Sequence, residues 1–375
     1  MSIASALTAL NTDIENAKTA ITNKGGTVTV GGGSSQLATD IATIPTGGGG
    51  SVLITKNITQ NGTYNASSDN ADGYSSVVVN VSGGGTFVGI PREVSANGVY
   101  RMPTSSFTFS LPSNATDVGD YALYYAFRGC PNLTSVDLSS LTTISSEGGL
   151  SYTFQNCTGL TGNLSLLNLT NISGMYGMRG AFYNTGLTSV NLSNLMSISN
   201  TSGMASAFNK CTSLTSVDLS GLTTITGTGA LLDAFSGCTS LTSINFTNLT
   251  TIGNNSSSSN VSHFSNAFNN CTSLTTLSFP ELTAIYCTGT NTNTQGTFYG
   301  NNQIQKFYFP KLTTITYGTG ASSTNQVACK LIFAGCSALT EIHFGAANES
   351  AIKATSGWST LWGRGAGNAT VYFDL

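Results

Sequence analysis

Charge is what this chain of 375 residues has least of. Only 8% of its residues are Asp, Glu, Lys or Arg, against roughly 25% in ordinary soluble domains. The net charge of −3 leaves no basic footprint for nucleic acid, so no such partner is expected. Long apolar runs are missing as well. Nothing approaches the ~18 consecutive apolar residues of a membrane span, which excludes insertion of that kind. The opening stretch, MSIASALTALNTDIENAK, has neither the basic start nor the apolar core of a secretory signal, so export and anchoring are not expected. The chain holds only 2 histidines, His263 and His343, in unrelated contexts, and its carboxylates are sparse. With no acid–base pair to assemble, no enzyme is expected. The glycine runs at 31–33, 47–50 and 83–85 are not followed by the Gly-Lys-Ser/Thr of a phosphate loop. No C-x2-C pair offers a zinc site. Neither cofactor nor metal is expected.

What remains is polar without being charged, rich in Gly, Ser, Thr and Asn. That is not the usual disordered composition, which is charged and poor in β-branched residues. The order is visible as repetition. AFNKCTSLTSVDLSGLTTI (207–225) returns as AFSGCTSLTSINFTNLTTI (234–252) and as AFNNCTSLTTLSFPELTAI (267–285). Aligned on phenylalanine there are eight copies, at Phe127, Phe154, Phe182, Phe208, Phe235, Phe268, Phe298 and Phe333, spaced by 27, 28, 26, 27, 33, 30 and 35 residues. A period in this range means a solenoid of stacked coils. Within one coil Phe208, Cys211, Leu214, Val217, Leu219, Leu222 and Ile225 point inward. The V-x-L segment alternates like a strand with one buried face, and the later apolar residues recur every third position, as a coil turning inward on each side requires. Copy two has one residue extra and copy three one fewer, which predicts local bulges. Between the Ile and the next Ala-Phe the gap is 8 residues in early copies, then 14 (253–266), 11 (286–296) and 16 (316–331).

Six of the 8 cysteines share one repeat position: Cys130, Cys157, Cys211, Cys238, Cys271 and Cys336, with Thr185 and Asn301 in the other two copies. A small, weakly polar residue recurring at one buried turn predicts a packing ladder of free thiols. Cys287 and Cys329 fall in the long inserts, where a bridge and two free thiols both remain open. Residues flanking the inward Val face outward, giving rungs Ser135/Asp137, Ser189/Asn191, Ser216/Asp218, Ser243/Asn245, Thr276/Ser278, Lys306/Tyr308 and Glu341/His343. Early rungs are short and alike; the last two are large and chemically mixed. Mixed aromatic and polar surfaces are what binding sites use. The candidate ligand surface is therefore Lys306, Tyr308, Glu341 and His343 with Tyr286, Tyr299 and Tyr317 nearby. Trp358 and Trp362 follow, either closing the last coil or joining that surface.

The repeat resembles the BspA-like, treponemal-type leucine-rich repeat, L-x-x-L-x-L-P-x-x-L-x-x-I followed by A-F-x-x-C. SFPELTAI and YFPKLTTI, with Pro280 and Pro310, bring the match closest. The resemblance covers about 119–345 and implies a mainly β fold, a leucine-rich-repeat solenoid of about eight coils. The family's units are shorter than these. A cap at 87–118 and another at 346–375 would close the ends.

Ahead of the repeat, Ile3, Leu7, Leu10, Ile14 and Ile21 form a heptad seam. It fits a short parallel coiled coil, and equally an amphipathic helix packed on a second helix near Leu37, Ile41 and Ile44. Residues 1–46 are thus a helical docking or oligomerisation segment, 47–51 a glycine joint, 52–82 a small β module with turns at Asn61-Gly62 and Asp72-Gly73, and 83–86 a second joint. The phrase ITQNGTY…DGYSSVVVNV resembles a β module of tailed-phage tail and fibre proteins, and the preceding helix–KGGTV–helix resembles their N-terminal parts. That implies a virion protein, assembled in the host cytoplasm. It would dock on other virion proteins by its N-terminal part and present the solenoid to a host surface protein or glycan. A homotrimer through the seam is one arrangement this allows, and tail fibre and head fibre both remain open. The alternative is a bacterial cell-surface adhesin of the BspA-like kind.

Overall fold

A computed structural model of the chain describes residues 106–111, 116–120, 123–254, 263–286, 297–316, 332–354 and 369–375, with the backbone of six strands between Leu53 and Arg101. The heptad seam, the glycine joints, Tyr317, Cys287, Cys329, Trp358 and Trp362 lie outside the described residues.

One coil shows how the sequence builds the others. Leu214, Val217, Leu219, Leu222 and Ile225 are each at most 3% exposed. Val217 sits in the strand Ser216–Asp218, and Ile225 ends the strand Thr224–Ile225. Between them the chain turns a corner, where Ser220 donates its backbone N–H to Asp218 Oδ1 at 3.0 Å. Asn191 and Asn245 accept from Ser193 and Thr247 in the same way. The position alternates between Asp and Asn because the corner needs only a side-chain oxygen two residues before the donor.

Each coil has three sides. On the first, strands Thr161–Ser165, Gly186–Asn191, Ser216–Asp218 and Ser243–Asn245 pair in parallel. The register slips between Gly162 and Asn163, where copy two carries its extra residue. A further sheet on that side runs Thr276–Ser278, Lys306–Phe309, Glu341–Phe344 and Thr370–Phe373. The second side is one parallel sheet of 7 short strands, from Thr143–Ile144 to Thr314–Thr316. Ahead of the repeat, strands Leu53–Ile58, Ser76–Val81, Phe107–Ser110 and Leu133–Asp137 pair in parallel as a single sheet. The joint expected at 83–86 therefore falls between strands of one sheet that continues into the repeat.

The third side is neither helix nor strand. It is a ribbon of successive tight turns, with a positive φ at every fourth residue, as at Ser202 (55°), Ser206 (55°) and Lys210 (61°). Every second N–H crosses to the next coil; Phe208 N–H, for example, donates to Ala234 O at 2.8 Å. The ribbon thereby pairs its backbone without a continuous strand.

Two columns of phenylalanine fill the core. The first runs on the ribbon side through Phe127, Phe154, Phe182, Phe208, Phe235 and Phe268, with centroids 5.2–5.7 Å apart. Phe298 does not continue it. Phe235 N–H donates to Ala267 O, the residue before Phe268, but it is Phe264 that donates to Thr297 O, the residue before Phe298. Phe298 therefore takes the register of Phe264, and the ribbon has lost one four-residue turn. Asn301 splices the gap. Its Oδ1 accepts from Phe268 N at 2.7 Å, and its Nδ2 donates to Phe264 O at 3.1 Å and Phe298 O at 2.8 Å. The second column lies behind the first side: Phe246, Phe279, Phe309, Phe344 and Phe373, with centroids 5.2–5.7 Å apart. Stacked pairs contribute about 0.5–1.5 kcal/mol each beyond their buried area.

The cysteine ladder lies between these columns and the coil edge, and all six thiols are free and buried. It also carries hydrogen bonds. Cys157, Cys211, Cys238, Cys271 and Cys336 donate Sγ–H to the carbonyls of Phe127, Phe182, Phe208, Phe235 and Phe298 at 3.0–3.1 Å. Burial pushes the thiols up, Cys211 to about 11 and Cys271 and Cys336 to about 12, so they keep the proton that this bond uses. Thr185 serves with a hydroxyl, donating to Phe182 O at 3.0 Å.

Candidate functional site

The mixed rungs meet on the first side of the last coils. Thr276, Lys306, Glu341 and Thr370 stand in one register line, and Ser278, Tyr308, His343 and Tyr372 in the next. His343 lies between two tyrosines, 4.6 Å from the Tyr308 ring and 4.7 Å from Tyr372, at interplanar angles of 13° and 12°. Its Nε2 is 3.0 Å from Glu341 Oε2 and its Nδ1 2.9 Å from Asp374 Oδ1. Lys306 Nζ reaches the same Glu341 oxygen at 2.9 Å. Two carboxylates facing the two ring nitrogens suit the imidazolium, which donates from both. Burial lowers the His343 pKa, but hydrogen bonds to Glu341 and Asp374 outweigh it, and the net shift is upward. The Glu341 carboxyl is held down, first by His343 and then by Lys306.

This arrangement changes what each residue offers a ligand. His343 is 8% exposed and committed on both edges and both faces, so it braces the site instead of touching a target. The side chains left open on this side are Lys306, Asp374 and Tyr372, the last with a relative exposure of 39%. Tyr372 and Asp374 were not singled out from the sequence. Their signal was available: TVYFD (370–374) repeats the outward–inward alternation of KFYFP and EIHFG and adds one more strand. Tyr286 and Tyr299 are elsewhere. Tyr286 ends the second-side strand Ala284–Tyr286 against Gly253, and Tyr299 belongs to the ribbon. Earlier on the first side, Ser189, Asn191, Ser216, Asp218, Ser243 and Asn245 line an open depression of 430 Å³ with short polar groups and no ring.

A family model for the BspA type leucine-rich repeat region, in 6 copies, matches residues 97–202, 123–263 and 179–325. The chain belongs to this family. Among solved structures, a leucine-rich repeat protein from Bacteroides ovatus is 19% identical, with a TM-score of 0.35 over 78% of this chain and 63% of that one. The BspA-type chain thus spans less than two thirds of the length of that protein. An internalin (InlF) from Listeria monocytogenes is 12% identical, with a TM-score of 0.23 over 81% of both chains. No curated protein matches. The braced rungs at 341–343 and 370–374 lie beyond the matched residues.

The leucine-rich-repeat solenoid is typically a binding scaffold rather than a catalytic one. The His343 cluster resembles a catalytic dyad only superficially, because a triad needs one imidazole nitrogen turned to a nucleophile, and both of these face carboxylates. His263 is fully buried, with Nδ1 2.9 Å from Gly227 O, and burial lowers its pKa to about 4. It stays neutral inside the coil. No group of three metal-ligating side chains is found among the described residues.

Proposed function

We propose that this chain is a recognition module that attaches to a surface through the first side of its last coils. The observation that carries this is the change of the outward ladder, from Ser, Asn and Asp to the braced set of Lys306, Tyr308, Tyr372 and Asp374 around His343. Rigid aromatic edges beside charged groups lose little side-chain entropy on binding. Tyr372→Ser and Lys306→Gln should each weaken attachment to the natural target. Attachment unchanged in both would remove this side from consideration.

The finer reading is a tailed-phage virion protein that docks through residues 1–46, with a host surface protein or glycan as target. It rests on the likeness of 1–82 to tail and fibre modules and on the low charge. The other reading is a bacterial surface adhesin of the BspA-like kind. Mass spectrometry of purified particles and of the host cell surface separates them: a chain found on cells and absent from every particle ends the virion reading.

A further inference from the structure

The ribbon side of the first coils carries a second surface, and it is built differently from the first. Among the described residues the basic side chains are six: Arg128, Arg179, Lys210, Lys306, Lys311 and Lys353. The last three each pair with a glutamate, Glu341, Glu281 and Glu349. The first three lie on tyrosine rings. Arg128 stands 4.9 Å over Tyr125, Arg179 5.8 Å over Tyr152 and 5.1 Å over Tyr176, and Lys210 5.5 Å over Tyr183. Arg179 and Lys210 make no ion pair among the described residues.

The rings themselves form a platform. Tyr125 and Tyr152 occupy the same ribbon position in successive coils and stack at 5.1 Å and 19°. Tyr124, 40% exposed, closes on Tyr125 at 4.2 Å. The next residue in that column is Gly180, at φ +58°. A Cβ there would stand 2.4 Å from Tyr152 Cδ1, so the ring lies flat over the glycine, in space that a side chain would fill. Of the residues that share positive φ with Tyr125 and Tyr152, several are Gly or Asn, the types this conformation favours. Tyrosine at these two positions accepts backbone strain in return for an aromatic surface.

We propose that this platform binds an anionic polysaccharide, a chain of sugar rings bearing carboxylates or sulfates. Flat tyrosine faces stack on the apolar faces of sugar rings, and phenol hydroxyls serve sugar hydroxyls. A guanidinium already oriented by a ring presents its remaining edge to an anion. The patch holds no aliphatic anchor: the exposed Leu167 and Met196 lie at the bends leading to the second side. A protein partner would need such an anchor more than a sugar chain does. The platform is separate from the strand-side rungs and does not depend on their role.

The test is retention of the full chain on immobilised polygalacturonate and heparin, with dextran and polyglutamate as comparators. Retention on one or both acidic polysaccharides, and weaker on dextran and polyglutamate, is expected. Arg179→Gln should weaken it by about tenfold, the loss of a charge-assisted hydrogen bond. Tyr152→Asn keeps a residue that tolerates positive φ, as Asn156 and Asn184 do, and should weaken binding similarly without unfolding the coil. The double variant Lys311→Gln/Lys353→Gln, at lysines paired with Glu281 and Glu349, should leave retention unchanged. No retention on either acidic polysaccharide overturns the proposal. So does equal retention on polyglutamate, which would mean an acidic protein partner, or equal loss in the Lys311/Lys353 variant, which would mean unspecific charge.

Discussion

The first coils and the last coils are built on one repeat and use opposite sides of it. In the first, the phenylalanine column stands behind the ribbon, and the basic residues lie on tyrosines that face outward from that ribbon. In the last, a phenylalanine column stands behind the strands, and the basic residues are neutralised in ion pairs, one of them in the His343 cluster. The crossover lies at Phe246–Phe309, where the second column starts and Asn301 replaces a turn of the ribbon. The difference teaches that a solenoid coil has no fixed functional face. Large rings in the core can shift from one side to another, because each coil packs only on its neighbours.

The largest expected effects test the two columns. Phe208→Ala and Phe309→Ala should each cost about 3–5 kcal/mol, the loss of a buried ring plus its cavity. Hydrogen exchange should show the added opening confined to the half that holds the substitution. Equal loosening of both halves in both variants would break the distinction between them. Next is the splice. Asn301→Ala leaves the buried Phe268 N–H without its acceptor and removes one of the donors to each of Phe264 O and Phe298 O, which keep Ala267 N–H and the Cys336 thiol. Denaturant titration should show a loss of about 2–4 kcal/mol, with faster exchange of the Phe268 amide.

A smaller effect is expected from the cysteine ladder, which both halves share. Cys238→Ala removes the donor to Phe208 O and should cost about 1–2 kcal/mol, whereas Cys238→Ser keeps a donor and should cost less. The folded chain should resist alkylation at the six buried thiols, and burial also holds Cys211, Cys238, Cys271 and Cys336 protonated. The smallest effect belongs to the last coils alone and depends on pH. The His343 pKa is raised on folding. Its contribution is therefore complete below the ordinary value of about 6.5 and is lost as pH rises through the raised value. Protection factors at Thr370–Phe373, which correct for the intrinsic rise of exchange with pH, should fall across that range and stay flat in His343→Gln. The same fall in the first coils would show that the brace is not local.

Much of this fold was legible before any coordinates. The inward set Phe208 to Ile225, the free-thiol ladder and the outward rungs all follow from which short segments can bury one face. The bulge at Gly162 follows from counting residues. The misreadings share one cause. Phe298 is the seventh copy by alignment yet takes the register of Phe264, because F-x2-C alignment fixes a local register, whereas stacking depends on how much ribbon precedes it. His343 looked like an outward contact because its rung is outward, yet neighbouring strands close both of its faces. The pairing of tyrosines with Arg179 and Lys210 was missed because Tyr152, Tyr176 and Arg179 sit in the gaps between repeat motifs and Tyr183 and Lys210 at the variable positions of A-F-x-x-C, where no period draws attention to them.

By itself, the sequence determined the coil: the apolar spacing, the Asp or Asn at the corner and the small polar residue at the ladder act within a few residues of each other. Tertiary structure decided which coils match at full length, which outward side chains become braced and where rings are left facing solvent. Those outcomes rest on contacts between residues such as Asn301 and Phe264, 37 apart in the chain. Their distance in space is set by the stacking of whole coils and by the length of the segment between them.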